Sequence, residues 1–131
     1  MAIRVVRLGT PRSKGEGPRL GTVRRPPRGV KKADWARLDF FDAWLPELAP
    51  SAALFKWISG GDEITPAQWT RFARSYRREM GEPAAARLID TLALLSQDAD
   101  FAVGCYCENE QRCHRSLLKR LLIEHGARVE G

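Results

Sequence analysis

All three cysteines of the chain lie in one short stretch near its end, together with a histidine and two arginines. These residues are Cys105, Cys107, Arg112, Cys113, His114 and Arg115. A thiolate is a strong nucleophile, and a cationic neighbourhood favours the thiolate over the thiol. Guanidinium groups bind carboxylate or phosphate through two parallel hydrogen bonds. The stretch therefore predicts an anion site, held by Arg112 and Arg115, beside a reactive cysteine.

The pattern around these residues predicts a strand, a polar loop and a helix. An apolar run bounded by turn residues extends from Phe101 to Tyr106, as expected of a strand buried on both faces. From His114 to His125 apolar residues recur at helical spacing, and Gly126 follows just past the expected helix end. Asn109 is a candidate cap for the helix start. Because the first N–H groups of a helix lack partners within it, this arrangement suits an anion.

The cysteines and the histidine each allow a functional and a structural interpretation. Cys113 and Cys107 are the candidate nucleophiles, with His114 as a candidate proton carrier. Cys105 falls within the predicted strand, where a free cysteine commonly packs as a small hydrophobe. His114 lies on the apolar stripe of the helix, so a buried, hydrogen-bonded histidine is the alternative to a functional one. The pattern leaves open whether the protein is an enzyme.

A zinc site is the competing interpretation of the same residues. Cys105 and Cys107 alternate along the strand, and with Cys113 and His114 they form a zinc-type ligand set. The spacing, however, is not that of the paired cysteines in common zinc sites. Adjacent residues on a helix also point about 100° apart, which makes joint ligation by Cys113 and His114 awkward. We therefore predict no metal and no other cofactor.

Length and composition predict a soluble cytoplasmic protein. A chain of 131 residues suits one domain with an ordinary core. An odd number of cysteines, three, argues for a reducing compartment rather than a disulfide scaffold. The first residues contain no signal peptide, and no apolar run reaches the length of a membrane span. The sequence does not determine the oligomeric state.

Positive charge is concentrated in the first quarter of the chain. The net charge is +6, and residues 1–32 contain ten basic residues against Glu16 alone. Prolines and a glycine in the string RRPPRG stiffen one basic loop, which could hold Arg24, Arg25 and Arg28 as an anion clamp. The alternative function is therefore a nucleic-acid-associated module that uses this basic segment, including Arg24, with the cysteines structural.

The order of the predicted elements gives the fold class. We expect strands at 3–8, 20–23 and 101–106, with a last strand at 127–130. A short helix is predicted within 35–48, and further helices begin at Ser51, Thr65 and Pro83, the first of them ending at Gly60 and Gly61. Residues 10–18 form a glycine- and proline-rich loop that is expected to be mobile. This order predicts an α/β single domain with a small, mainly parallel or mixed sheet covered by helices. Ligands of such sheets bind beyond the carboxyl ends of the strands.

Several short strings recur together along most of the chain. They are the Arg-rich first strand, Pro27-Arg28-Gly29, Trp44-Leu45 with Leu48-Ala49-Pro50-Ser51, Lys56-Trp57, the helix residues Trp69, Phe72, Tyr76 and Glu79, and Cys107 with Cys113-His114-Arg115. Together they resemble the domain of unknown function 488 family, particularly its YeaO-like branch. That branch typically has Asp-Arg-x-Trp-Pro-Arg-Gly before the turn, and its acidic residue and tryptophan are absent here. The resemblance implies an α/β fold and marks the Cys-His-Arg cluster as the family's site, without an activity.

Overall fold

A parallel sheet forms the centre of the molecule in the computed structural model, which describes residues 1–59 and 63–130. The strands of the described part are β1 (Ile3–Arg7), β2 (Arg19–Gly21), β3 (Ala43–Trp44), β4 (Phe101–Cys105) and β5 (Val129–Glu130). Their order across the sheet is β3-β2-β4-β1-β5, and each described pair is parallel. The predicted α/β class is confirmed.

Three of the four helices begin where local capping signals predict, but Asn109 caps a 3₁₀ turn at Glu110–Arg112 and not the last helix, whose N-cap is Cys113. The helices are α1 (Ala52–Ser59), α2 (Pro66–Met80), α3 (Pro83–Leu95) and α4 (His114–Glu124). Thr65 and Gln68 form a reciprocal capping box at the start of α2. The hydroxyl of Ser51 accepts a hydrogen bond from the N–H of Leu54 at the start of α1. The predicted end of α1 at Gly60 and Gly61 lies outside the described residues.

The helix predicted within 35–48 is wrong. This segment consists of turns, the short strand β3, and a 3₁₀ turn at Pro46–Leu48. Asp39 adopts a left-handed backbone with φ 63°, which a helix cannot contain. Beyond it Phe41 is buried, and Leu20 of β2 pairs with Ala43 of β3. The aromatic residues that suggested a helix face therefore pack from an extended edge of the sheet.

Strand β4 passes through the middle of the core. All five of its residues are buried, as predicted for a strand covered on both faces. A Cβ on Gly104 would lie 2.6 Å from the carbonyl oxygen of Val6, so the close approach of β1 requires glycine there. Helices α2, α3 and α4 supply most of the apolar partners of this core. After the carboxyl end of β4, the chain reaches the surface at the loop that contains Cys107. Across residues 1–59 and 63–130, no helix combines the length and apolarity of a membrane span.

A buried ion pair anchors the loop that precedes β2. The side chains of Glu16 and Arg19 are 2% and 1% exposed, and their carboxylate and guanidinium groups approach to 2.6 Å. Arg19 also donates to the backbone carbonyls of Thr10 and Asp39, at 2.8 and 2.7 Å. This loop, for which mobility was predicted, therefore has an internal anchor of opposite charges.

Replacing Gly17 with alanine is expected to destabilise the protein by roughly 2 to 4 kcal/mol. Gly17 has φ 81°, and an added Cβ would overlap the carbonyl of Asp100. Urea unfolding of the variant measures the loss. Gly15→Ala is the matched control, because Gly15 has φ 78° but its nearest neighbour to an added Cβ is 4.0 Å away. Equal losses in the two variants would contradict the proposed overlap.

Candidate anion-binding cleft and thiol cluster

A cleft of about 840 Å³ opens beyond the carboxyl ends of β2 and β4. One wall is the basic proline loop, the second is α1, and the third is the segment that follows β4. Phe40, Phe55 and Tyr106 supply aromatic surface to these walls. The location agrees with the position expected for ligands of a parallel sheet.

The charged side chains that line this cleft are all cationic. Arg25, Arg28 and Lys56 line it, and none of its described lining residues is acidic. Arg24 also lines it, but its guanidinium is satisfied by the carbonyls of Pro46, Ala49 and Pro50, at 3.0 to 3.3 Å. Arg24 therefore binds the basic proline loop to the segment that precedes α1. Arg25, Arg28 and Lys56 remain as the cations that face the cleft.

The structure places the two arginines of the cysteine stretch outside the cleft lining. Arg115 is only 4% exposed, and its Nη2 donates to the carbonyl of Cys107 at 2.9 Å. Its Nε has no hydrogen-bond partner among the described residues. The guanidinium of Arg112 lies 5.8 Å from the ring centroid of Trp69. Arg115 thus supports the cysteine loop from behind, and Arg112 rests on an aromatic ring.

The three thiols form one cluster with a single exposed member. Cys107 is exposed and lines the cleft, whereas Cys105 and Cys113 are buried. The sulfurs of Cys105 and Cys113 are 2.7 Å apart. The backbone N–H of Cys107 donates to the sulfur of Cys105 at 3.3 Å. Of the two candidate nucleophiles, the one that an incoming molecule can reach is therefore Cys107.

His114 is held in one tautomer beside this cluster. Its Nε2 lies 2.6 Å from the carbonyl oxygen of Thr22, and a carbonyl can only accept, so Nε2 carries the proton. The unprotonated Nδ1 lies 3.8 Å from the sulfur of Cys113. Burial lowers the pKa of His114, against the opposing hydrogen bond to Thr22. A neutral imidazole with a free lone pair therefore faces the thiols.

The cluster concentrates its negative charge on the exposed sulfur. The pKa of Cys107 is lowered to about 2, first by the hydrogen bond from Cys105 and then by that from Cys113, with Arg115 contributing favourable charge. The hydrogen bond to Cys107 raises the pKa of Cys105 to about 11. Hydrogen bonds to the other two cysteines, together with burial, also raise the pKa of Cys113. These shifts favour a thiolate at Cys107 and neutral thiols at Cys105 and Cys113.

The cluster also contains a set of atoms that could hold a metal. The ligand atoms of Cys105, Cys113 and His114 lie within 4.8 Å of one another. Cys113 has an extended backbone, φ −123° and ψ 148°, so the premise that it shares a helix with His114 is wrong. Two thiolates on one tetrahedral zinc would be about 3.8 Å apart, given zinc–sulfur bonds of about 2.3 Å. A separation of 2.7 Å is closer to sulfur–sulfur bonding than to that arrangement.

Some residues of the site carry no local signal in the sequence. Lys56 and Phe55 reach the cleft only because α1 crosses the basic loop. Thr22 contributes a backbone carbonyl, which residue type cannot reveal. Of these residues, Tyr106 is the one that the sequence could have marked as part of the site, because it lies between two cysteines. Its hydroxyl donates to the carbonyl of Arg25 at 3.0 Å and so joins two walls of the cleft.

Fold and site together define an α/β protein with a cationic cleft and a thiol cluster at the carboxyl ends of its strands. The chain belongs to the domain of unknown function 488 family, as its motifs indicated: the family model described as the active DUF488-N3 subclade matches residues 3–126. Nothing among curated proteins matches the chain. Among solved structures nothing matches it either.

Proposed function

We propose that the cleft binds a small phosphate- or nucleotide-like anion beside Cys107, and that the protein is a cysteine-dependent enzyme acting on this anion. The observation that carries the proposal is the meeting of Arg25, Arg28 and Lys56 with an exposed thiolate in one cleft without a carboxylate among its described lining residues. In this proposal the cations hold the anionic group, and Cys107 attacks an electrophilic atom attached to it.

The walls of the cleft support a ligand with a planar apolar part. Phe40, Phe55 and Tyr106 provide aromatic faces near the cations, and prolines 26 and 27 add rigid apolar surface. Pockets for small ligands combine apolar walls with a few polar groups in this way. The description of the matching subclade as active agrees with an enzyme, although it names no reaction.

Nucleic-acid binding through the basic first quarter has less support. Five of the ten basic residues in that segment already have partners within the protein, and one of these pairs is buried. Arg4, Arg7, Arg12 and Arg19 pair with Glu130, Glu108, Asp42 and Glu16, respectively. Arg24 is satisfied by backbone carbonyls. A nucleic acid would therefore have to use the remaining cations, which are Arg25 and Arg28 of the cleft and the exposed Lys14, Lys31 and Lys32.

The Arg28→Ala variant is expected to bind phosphate and a nucleoside monophosphate about tenfold or more weakly than the unmodified protein. Removing a charged hydrogen-bond donor to an anion costs about 1.5 to 3 kcal/mol, and each 1.4 kcal/mol is a factor of ten in affinity. Isothermal titration calorimetry in a buffer without phosphate measures both affinities. A single-stranded oligonucleotide measured beside them, over a range of salt, tests the alternative.

Arg74→Ala is the matched control for this experiment. Arg74 is exposed on α2 and does not line the cleft, so its removal changes the net charge equally. We expect Arg74→Ala to bind the small anions as the unmodified protein does. If both variants bound the anions equally weakly, the loss of affinity would come from the change in net charge and not from a contact made by Arg28. Tight, salt-dependent binding of the oligonucleotide, without measurable binding of the small anions, would favour the nucleic-acid function.

A further inference from the structure

The two buried sulfurs have no role in anion binding, and their arrangement suits a reaction between the cysteines. Cys105 and Cys113 have sulfurs 2.7 Å apart, and the backbone N–H of Cys107 donates to the sulfur of Cys105 at 3.3 Å. Cys107 also opens onto the cleft, whose volume of about 840 Å³ admits small molecules. An exposed thiolate beside two buried thiols is the arrangement found at cysteines that oxidise and are then resolved by a neighbour.

We propose that the three cysteines form a peroxide-oxidisable site: a hydroperoxide oxidises Cys107, and the oxidation ends as a disulfide between Cys105 and Cys113. This inference goes beyond the binding of an anion and holds whether or not the cleft binds phosphate. The oxidant is a hydroperoxide, with hydrogen peroxide as its simplest member.

In the first step the Cys107 thiolate attacks one oxygen of the peroxide. A sulfur–oxygen bond forms, the oxygen–oxygen bond breaks, and the leaving hydroxide takes a proton from water or solvent acid. Cys107 is then a sulfenic acid, oxidised by two electrons, and the peroxide is reduced. The state of this sulfur favours the step, since susceptibility to peroxide follows thiolate character and exposure. Both are properties of Cys107 alone among the three cysteines.

In the second step Cys113 resolves the sulfenic acid. Its sulfur attacks the Cys107 sulfur, the sulfur–oxygen bond breaks, and the Cys113 proton leaves with the hydroxyl group as water. The Nδ1 of His114, 3.8 Å from the Cys113 sulfur and already unprotonated, can carry that proton. The product is a disulfide between Cys107 and Cys113, with no change in the total number of electrons removed.

In the third step Cys105 attacks the Cys113 sulfur, 2.7 Å away, and expels Cys107. The new disulfide joins Cys105 to Cys113, and the Cys105 proton passes to solvent. The direction follows from the leaving group: a thiol of low pKa leaves faster, and Cys107 has the lowest pKa of the three. Exchange therefore buries the disulfide and returns Cys107 to the exposed thiolate. Overall, two thiols and one peroxide give one disulfide and two waters.

The test treats the reduced protein with one equivalent of hydrogen peroxide and maps the products by mass spectrometry after acid quench and thiol blocking. We expect a Cys105–Cys113 disulfide with Cys107 blocked as a free thiol. In Cys107→Ser, disulfide formation should be at least tenfold slower. This variant should fold normally because Cys107 is exposed, and its circular dichroism melt checks that. In Cys113→Ala, dimedone should trap Cys107 as a sulfenic acid.

Three results would overturn the proposal. The first is a disulfide that forms as fast in Cys107→Ser as in the unmodified protein, since peroxide would then bypass Cys107. The second is a final disulfide that includes Cys107, which would contradict the exchange step. The third is stoichiometric zinc in the purified protein, because Cys105 and Cys113 would then be metal ligands and not the free thiols that the second and third steps require. None of these results bears on Arg28 and phosphate binding, so the two proposals fail separately.

Discussion

Replacing Arg19 with methionine is expected to lower the free energy of unfolding by about 3 to 5 kcal/mol, a large part of the roughly 5 to 15 kcal/mol that stabilises an ordinary protein. The substitution leaves the Glu16 carboxylate buried without its partner, and the carbonyls of Thr10 and Asp39 each lose the hydrogen bond from Arg19. Removing one member of a buried pair costs far more than an exposed pair is worth, because the remaining charge stays desolvated. Urea unfolding followed by tryptophan fluorescence measures the loss.

Arg12→Met in the same loop is the control for this prediction. Arg12 pairs with Asp42 at 2.8 Å, but both side chains are partly exposed, so we expect a loss of about 1 kcal/mol or less. Removing both charges of the buried pair, Arg19→Met with Glu16→Gln, should restore part of the stability lost in Arg19→Met alone. Similar losses from Arg12→Met and Arg19→Met would show that the buried pair has no special weight.

The same pair gives a pH dependence with a defined sign. Burial acts to raise the pKa of Glu16, but the hydrogen bonds from Arg19 and from the N–H of Ser13 outweigh it and leave the pKa lowered. A carboxyl with a lowered pKa in the folded state contributes stability above its unfolded pKa and loses that contribution as pH falls through its folded pKa. The double variant should show a weaker acid-induced loss than the unmodified protein. An identical acid profile would contradict this assignment.

The rate at which iodoacetamide alkylates Cys107 is expected to stay nearly constant from about pH 8 down to about pH 5. An ordinary thiol, with a pKa near 8.5, loses nearly three orders of magnitude of its thiolate over that range. The hydrogen bonds from Cys105 and Cys113 hold the pKa of Cys107 far below it, so its thiolate fraction should not change. Its absolute rate should be moderate, since nucleophilicity falls with pKa. Mass spectrometry of quenched samples assigns the alkylated residue.

Two controls make the alkylation result decisive. In guanidinium the cluster is disrupted, and each cysteine should then lose about tenfold in rate for each pH unit below its pKa. In folded Cys107→Ser, Cys105 and Cys113 should react slowly at every pH because both are buried. A tenfold loss per pH unit at Cys107 in the folded protein would contradict the lowered pKa and remove the basis for a cysteine-dependent enzyme.

The elements that the sequence predicted well depend on neighbours close in the chain. Thr65, Pro66 and Gln68 start α2 through contacts within one turn, and the apolar run after Asp100 forms β4 as expected. The segment 35–48 was mispredicted because its aromatic residues mimic a helix face. Their partners lie instead on β2 and across the sheet edge, and Asp39 reverses the chain between them.

For the candidate site too, the sequence revealed some features and the tertiary structure decided the others. The cysteine stretch and the basic proline loop could be singled out as a candidate site from residue types alone, because thiols and an imidazole are scarce and the stiffened arginines are chemically distinctive. Which of them faces a ligand could not. Arg112 and Arg115 follow the cysteine loop in sequence yet lie outside the cleft lining, whereas Lys56 reaches the cleft from a distant helix.

By itself, the sequence determined the fold class, most helix starts, the family and the stretch for which we propose reactivity. Local hydrogen bonding, periodicity and chemically distinctive side chains carry that information in adjacent residues. The tertiary structure alone decided which charges are available and which thiol is exposed. The sequence suggests that Arg19 is one of many surface cations, but in the structure it is buried against Glu16. The sequence likewise suggests an accessible thiol for Cys113 at the helix start, but in the structure it is buried against Cys105. Burial and pairing depend on residues far apart in the chain, and these set both the cost of a charge and the pKa of a thiol.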